Sequence, residues 1–252
     1  MKVAVTGGSG SIGTAVIEEL RRIRTNMDVT AMDLAWPNGT VEGIDCFRGS
    51  VLDVDDLSRL LRGADVVVHL AAMLGVERTE EQRIRCLNVN VEGTRCVLDG
   101  CVKEGTGKII FASSSEVYGD IATREGERIS EESPLNPKSV YAVSKLAGEE
   151  YVKAYARQYG VDYTILRFFN VYGPGQNAEF VIPKFVERAK NGDSIEVYGS
   201  GEQVRAFCHV YDAARAVVMA LTHPGASGAT LNIGNDREPI SIRRLARTVL
   251  EM

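Results

Sequence analysis

Two residues four apart, Tyr141 and Lys145, have the types and the spacing to move a proton. Ser139 to Tyr159 has few helix breakers and carries apolar residues at helical spacing, which predicts a helix. Positions i and i+4 share a helix face, so the ammonium can sit near the phenol. A free Tyr has a pKa of about 10, and making it a base near neutral pH takes roughly three units, about 4 kcal/mol. One close cation supplies about 1–3 units. Lys145 therefore falls short alone, and a second positive charge, such as an oxidised nicotinamide ring, completes the shift. None of the other eight tyrosines has a Lys four residues later. Upstream, Phe111-Ala112 runs into Ser113, Ser114, Ser115 and Glu116, three hydroxyls and a carboxylate in one short stretch. Glu116 reads either as a base or as a loop carboxylate facing water or a backbone amide.

These groups need elements to hold them. Lys2 to Thr6 is a short apolar run that ends in Gly7, Gly10 and Gly13, with an amphipathic helix following to about Ile23. That spacing fits a strand–turn–helix whose backbone lets a pyrophosphate approach the helix N-terminus. The same fingerprint asks for an acid about 20 residues on, and Asp33 stands there, closing Val29-Thr30-Ala31-Met32. A carboxylate can accept both hydrogens of a ribose diol and would repel a 2′-phosphate, which favours NAD over NADP. Asp53 follows a third strand, Phe47 to Asp53, and either accepts from an adenine amine or caps the helix near Val54–Leu61. Asp65 to Ala72 reads as a buried parallel strand. Small Ala71 and Ala72 at its end leave room for a cofactor, and His69 reads as a hydrogen-bonded core residue. Glu80 to Glu104 is a long helical stretch whose Asn90 either reaches the strand ends or holds the helix to the sheet.

Lys108 to Ala112 is the strand that delivers the serines at its C-terminal end, where open α/β sheets place ligands. Asp120 to Pro137 is a polar loop, and its length hints at substrate contact. Val161 to Phe169 is a further strand. Unbroken strand–helix alternation makes the fold class α/β, a doubly wound parallel sheet. Beyond it the expected elements are a helix over Phe180–Asn191, strands over Ile195–Tyr198 and Val204–His209, and a helix over Asp212–Leu221.

Composition removes several classes of function. The chain has 252 residues, 44% hydrophobic and 25% charged, with net charge -5, an ordinary globular mix. There is no basic run, which argues against a nucleic-acid surface, and no stretch approaches about 18 apolar residues, which argues against a membrane span. Val3-Ala4-Val5 follows Met1-Lys2 directly, so no signal peptide is expected. Five cysteines without a C-x-x-C pair suggest neither a disulfide framework nor a metal site, and the expected compartment is reducing and cytoplasmic.

The ordered motifs Thr6-Gly7-x-x-Gly10-x-x-Gly13, Asp33, His69-Leu70-Ala71-Ala72, Asn90, Ser113-Ser114-Ser115, Tyr141-x-x-x-Lys145 and Arg167-Phe168-Phe169-Asn170-Val171-Tyr172-Gly173-Pro174 resemble the extended short-chain dehydrogenase/reductases. Within these, the match is to the NAD-dependent epimerase/dehydratases acting on nucleotide sugars. The resemblance implies a Rossmann domain over residues 1–170 and about 205–235, and a substrate-binding subdomain over 171–204 and 236–252. It also implies a C-terminal segment beyond Met252, so that the chain is either a fragment or carries a reduced substrate domain. Tyr141 would take the hydroxyl proton as sugar C4 loses hydride. Lys145 would bind the nicotinamide ribose and lower the Tyr141 pKa, and Ser114 would bond the same sugar oxygen. Gly7, Gly10, Ile12, Gly13, Asp33, Asp53, Val54, Leu70, Ala71, Ala72 and Asn90 would join Tyr141 and Lys145 in holding NAD. Ser114, Ser115, Asn170 and Arg205 would hold the substrate, the last two at its diphosphate. A homodimer through helices 80–104 and 139–159 is implied as well.

The resemblance leaves the reaction open. A 4-epimerase is the first expectation, most readily of a UDP-sugar. A dehydratase or decarboxylase using Glu116 is the alternative, because Ser114-Ser115-Glu116 is similar to the hydroxyl-hydroxyl-Glu pattern of GDP-mannose dehydratases and UDP-glucuronate decarboxylases. A non-catalytic NAD-binding protein is a reading of another class, and an NADPH reductase is disfavoured by Asp33.

Overall fold

In a computed structural model of the chain, residues 1–23, 27–36, 39–119 and 128–252 are described. The elements are β1 (Lys2–Thr6), α1 (Ser11–Arg22), β2 (Asp28–Asp33), β3 (Asp45–Arg48), α2 (Val54–Leu61), β4 (Val66–His69), α3 (Val76–Glu81), α4 (Arg83–Leu87) and α5 (Gly93–Glu104). They continue with β5 (Lys108–Ser114), α6 (Val140–Tyr159), β6 (Asp162–Phe168), β7 (Val171–Tyr172), α7 (Val181–Asn191), β8 (Val204–Arg205), β9 (Cys208–His209), α8 (Val210–Thr222), β10 (Ala229–Ile233), β11 (Ile240–Ser241) and α9 (Ile242–Glu251). A π-helical turn, Asn88–Glu92, joins α4 to α5, and a 3-10 turn, Ser115–Tyr118, follows β5.

Seven strands form one sheet in the order β10-β6-β5-β4-β1-β2-β3, every pairing parallel. Side chains alternate between its faces. Val3, Val5, Val66, Val68 and Ile110 join a core with α1 and α8. Ala4, Val67, Ile109 and Phe111 join the opposite core with α2, α5 and α6. Small residues let those layers close: a Cβ on Gly148 of α6 would lie 2.5 Å from the Phe111 ring. A third, smaller core joins α7 to α9 through Phe185, Ile242, Leu245 and Ala246. Among the described residues no helix is long and apolar enough to cross a membrane.

Several elements differ from the sequence expectations. The stretch 80–104 is not one helix, because Gln82 (φ -117, ψ 50) leaves helical geometry between α3 and α4. The third strand is Asp45–Arg48 rather than 47–53; Asp53 lies beyond it and caps α2. Residues 195–198 form no strand; Ile195 and Val197 pack on the third core instead. The expected strand 204–209 is two, since β8 pairs with β11 while β9 pairs with β7. Arg205 thus sits on the β8–β11 pairing, opposite Ile240. Part of the expected 120–137 loop lies outside the described residues.

Candidate active site

The glycine-rich turn follows β1. Gly7 has φ 72, a conformation glycine adopts without strain, and a Cβ there would lie 2.7 Å from the Ala71 backbone nitrogen. A Cβ on Gly13 would lie 2.1 Å from Gly7 O, so α1 is seated directly on the turn. Gly10 differs: its Cβ would approach only Gly7 O, at 3.4 Å. Two glycines therefore close the turn internally, and the middle one leaves backbone open to an incoming group, as a dinucleotide requires. Gly10→Ala is expected to leave thermal stability unchanged and to abolish NAD retention. Gly13→Ala is expected to weaken NAD binding about 10- to 100-fold and also to destabilise the fold by about 1–3 kcal/mol through overpacking. NAD content after purification and a melting curve check both.

Asp33 ends β2 beside this turn, where its carboxylate accepts from Ser9 N (3.0 Å) and Leu34 N (2.7 Å). A carboxylate offers about four acceptor positions, so capacity remains for a ribose diol. A cavity of about 710 Å³ adjoins Asp33, lined by Leu34, Ser50, Leu52, Ile84 and Asn88 among others. Neither Tyr141 nor Lys145 lines it. Trp36 packs over the turn, its ring 2.9 Å from where a Cβ on Gly8 would stand, and its Nε1 donates to Phe47 O at 3.0 Å. Ile12 is half-buried on α1, and Val54 is exposed at the start of α2. Asp53 Oδ1 accepts from Asp55 N and Asp56 N, which realises its capping role.

The end of β4 is fixed by a chain of hydrogen bonds whose proton order can be read. Thr94 Oγ1 donates to Asn90 O (2.6 Å), so it accepts from His69 Nε2–H (3.1 Å). His69 Nδ1 then accepts from Thr6 Oγ1 (2.7 Å), which accepts from Ala71 N (3.2 Å). His69 is neutral in this chain. Burial, and secondarily the Lys145 charge, push its pKa down to about 3. An unfolded His binds a proton below about pH 6.5 while the folded one does not, so stability is expected to fall as pH drops through the window from about 6.5 to about 3. The slope is about 1.4 kcal/mol per pH unit, and it should disappear in His69→Gln in urea titrations across that range. Leu70 N donates to Thr6 O nearby.

Asn90 occupies the π-helical turn and is buried. Its Oδ1 accepts from Met73 N (2.7 Å), and Nδ2 donates to Met73 O (3.0 Å) and Ser144 Oγ (2.9 Å). Its amide thus ties the loop after β4 to α6. Leu70, Ala71 and Ala72 line that loop beside Gly7 and keep part of their surface open.

The proton-handling groups converge between β5 and α6. Ser139 caps α6, its Oγ accepting from Ala142 N at 3.1 Å and donating to Glu116 Oε2 at 3.1 Å. Ser114 Oγ accepts from Glu116 N and lies near enough to the Tyr141 phenol to favour its ionised form; Ser115, half-buried, opens the 3-10 turn. Burial holds the Tyr141 phenol above its ordinary range; Glu116 adds to this, and Ser114 works against it. Lys145 is 4% exposed, donates to Ala112 O (2.7 Å), and lies 5.8 Å from the Tyr141 ring centre. Burial lowers its pKa to about 8, so it is cationic at neutral pH. The phenol thus stands above rather than below its ordinary range, in keeping with the need for a second positive charge.

Asn170 is exposed, takes φ 38, and donates from Nδ2 to Ala206 O (3.1 Å). That brings it beside exposed Arg205, whose Nη1 donates to Val204 O. Sequence reasoning missed the groups packed beneath the serines. Ser113 donates to Glu149 Oε1 (2.5 Å), and Glu149 is bound through both oxygens by Arg167. Glu149 does lie four residues past Lys145 on the predicted helix, which was the available signal.

A model of the NAD dependent epimerase/dehydratase family matches residues 3–234. A UDP-N-acetyl-alpha-D-glucosaminuronate decarboxylase of Bacillus cytotoxicus is 35% identical, over 98% of this chain and 79% of its own length. A dTDP-glucose 4,6-dehydratase of Mycobacterium tuberculosis is 33% identical, over 100% of this chain and 77% of its own. The crystal structure of Thermus thermophilus UDP-glucose 4-epimerase in complex with NAD superposes with a TM-score of 0.90 at 32% identity, covering 100% of this chain and 83% of that one.

Proposed function

The chain belongs to the NAD dependent epimerase/dehydratase family, an enzyme family with NAD as cofactor, and we propose that it is a nucleotide-sugar 4-epimerase, most readily for a UDP-sugar. The observation that carries this is the use of Glu116: its carboxylate accepts from Ser139, the residue that caps the helix of Tyr141. A carboxylate engaged in holding that helix supports a bystander role and leaves Tyr141 and Ser114 as the proton-handling pair.

NAD supplies a hydride acceptor when bound and, once reduced, a donor. In this reading Tyr141 takes the C4 hydroxyl proton and later returns it. Ser114, close to the Tyr141 phenol, orients the same oxygen. Lys145 keeps its charge in a buried position fixed by Ala112 O, where it favours the phenolate. Ser115 lines the sugar side, and Asn170 and Arg205 hold the diphosphate, since a guanidinium fork suits two oxygens at once.

A second reading, dehydration or decarboxylation with Glu116 acting at the sugar, is favoured by the proximity of its charge to Tyr141. The deciding experiment incubates NAD-loaded protein with UDP-, GDP- and dTDP-sugars and follows products by mass spectrometry and proton NMR. Unchanged mass with inverted C4 supports the epimerase. Loss of water or of carbon dioxide assigns the second reading instead.

A homodimer forms part of the proposal. Val102 on α5 and Val143 and Tyr159 on α6 are exposed apolar residues on the two expected helices. Gel filtration at micromolar concentration is expected to give twice the monomer mass, and a monomer peak would remove this element.

A further inference from the structure

Arg167 lies next to the end of β6, 3% exposed, and its guanidinium reaches three elements. Nε and Nη2 donate to Glu149 Oε1 (2.9 Å) and Oε2 (2.7 Å) on α6. Nη1 donates to Tyr118 OH (2.8 Å) in the 3-10 turn and to Glu131 O (3.3 Å). Tyr118 is fully buried; its hydroxyl accepts from Arg167 and donates to Asn232 Oδ1 (2.7 Å) on β10. Asn232 in turn donates from Nδ2 to Ile129 O (3.2 Å) and from its backbone to Glu131 Oε1 (2.7 Å). At the other end, Asn136 N donates to Val117 O (2.9 Å). Gly119 makes room there, as a Cβ on it would lie 2.0 Å from Asn136 O.

Residues 129–136 are therefore held at both ends against the turn that carries Glu116, and the chain reaches Ser139 three residues later and Tyr141 five residues later. A buried line of bonds starts at Ser113, the neighbour of Ser114 on β5, and ends on the segment that leads into Tyr141. We propose that Tyr118 and Asn232 are positioning residues: they set residues 129–136 in register with the end of β5, and so fix the distance between Ser114 and Tyr141. The kinetic part rests on the proposed epimerase reading, whereas the anchoring part does not.

The test compares Tyr118→Phe with wild type by amide exchange and by kinetics, well below both melting temperatures. Exchange in peptides spanning 129–136 is expected to rise about tenfold, the equivalent of one lost hydrogen bond, with β1 and β4 unchanged. Turnover is expected to fall about 10- to 100-fold through misplacement, with KM and NAD content nearly unchanged and the pH profile displaced. Glu131→Ala removes an exposed acceptor and opens no cavity. It is expected to raise exchange in the same peptides and serves where Tyr118→Phe fails to fold. Unchanged exchange at 129–136 overturns the proposal, as does raised exchange with unaltered turnover. A wild type inactive on every sugar removes the epimerase reading, and the exchange measurement still decides the anchoring.

Discussion

Tyr141→Phe is expected to lower turnover by about 10²- to 10⁴-fold, the range for losing a positioned general base, while NAD remains bound. Phenylalanine keeps the ring and its packing and removes only the oxygen that exchanges a proton with the substrate. The informative measurement is reduction of the bound cofactor in a single turnover, because product release does not mask the proton step there. Normal reduction in the variant would mean that another group is the base. Glu116 provides the companion result. Its negative charge helps to hold the Tyr141 phenol above its ordinary range, so Glu116→Gln should ease ionisation. The acid limb of the activity profile is then expected to move to lower pH with turnover retained. If Glu116 is instead the base of a dehydratase, the same substitution abolishes product.

The second large effect belongs to Glu149 and Arg167, 0% and 3% exposed and joined by two parallel hydrogen bonds. Removing one partner of such a pair leaves the other charge buried without its main partner, at a cost of about 3–5 kcal/mol, which Lys153, 3.9 Å from Glu149, offsets only in part. Arg167→Met should therefore lower the melting temperature by about 6–20 °C, given about 2–4 °C per kcal/mol for a chain of this size. Glu149→Leu combined with Arg167→Met should cost clearly less than the sum of the two, because neither charge is then stranded. Additive losses in the cycle would show that the two side chains act independently. Ser113 loses its acceptor with Glu149, and Tyr118 loses its donor with Arg167, so the double variant is not expected to regain full stability.

The contrast between Tyr141 and Arg167 explains what could be read from the chain beforehand. Tyr141 and Lys145 are legible because a helix converts a spacing of four into one face, and Gly7, Gly10 and Gly13 because a tight turn tolerates little else. Asp33 is legible through its offset from that turn. The Arg167–Glu149–Ser113 cluster has no such local rule; its members sit on a strand, a helix and another strand, and only the sheet order makes them neighbours. The bonds of Asn90 to Met73 were hidden because a buried amide on a helix can face either way, and its partners come from the loop after β4. The split of 204–209 into β8 and β9 was hidden for the same reason, since each half pairs with a different distant partner. At Ile195 and Val197 alternating apolar residues imitate a strand, yet they fill a small core with no ladder beside them.

Trp36 is the single tryptophan of the chain, and its ring lies against the glycine turn at Gly8. Indole emission overlaps the absorption of a reduced nicotinamide, so the protein carries an intrinsic optical gauge at the place where the cofactor would enter. Selective excitation of that one ring reports occupancy of the turn without a label, and its time course gives loading and release rates as well as affinity. The same signal also distinguishes two classes of variant: a Gly10 substitution should darken the response while leaving the resting spectrum intact, whereas a Gly13 substitution should shift the resting spectrum itself.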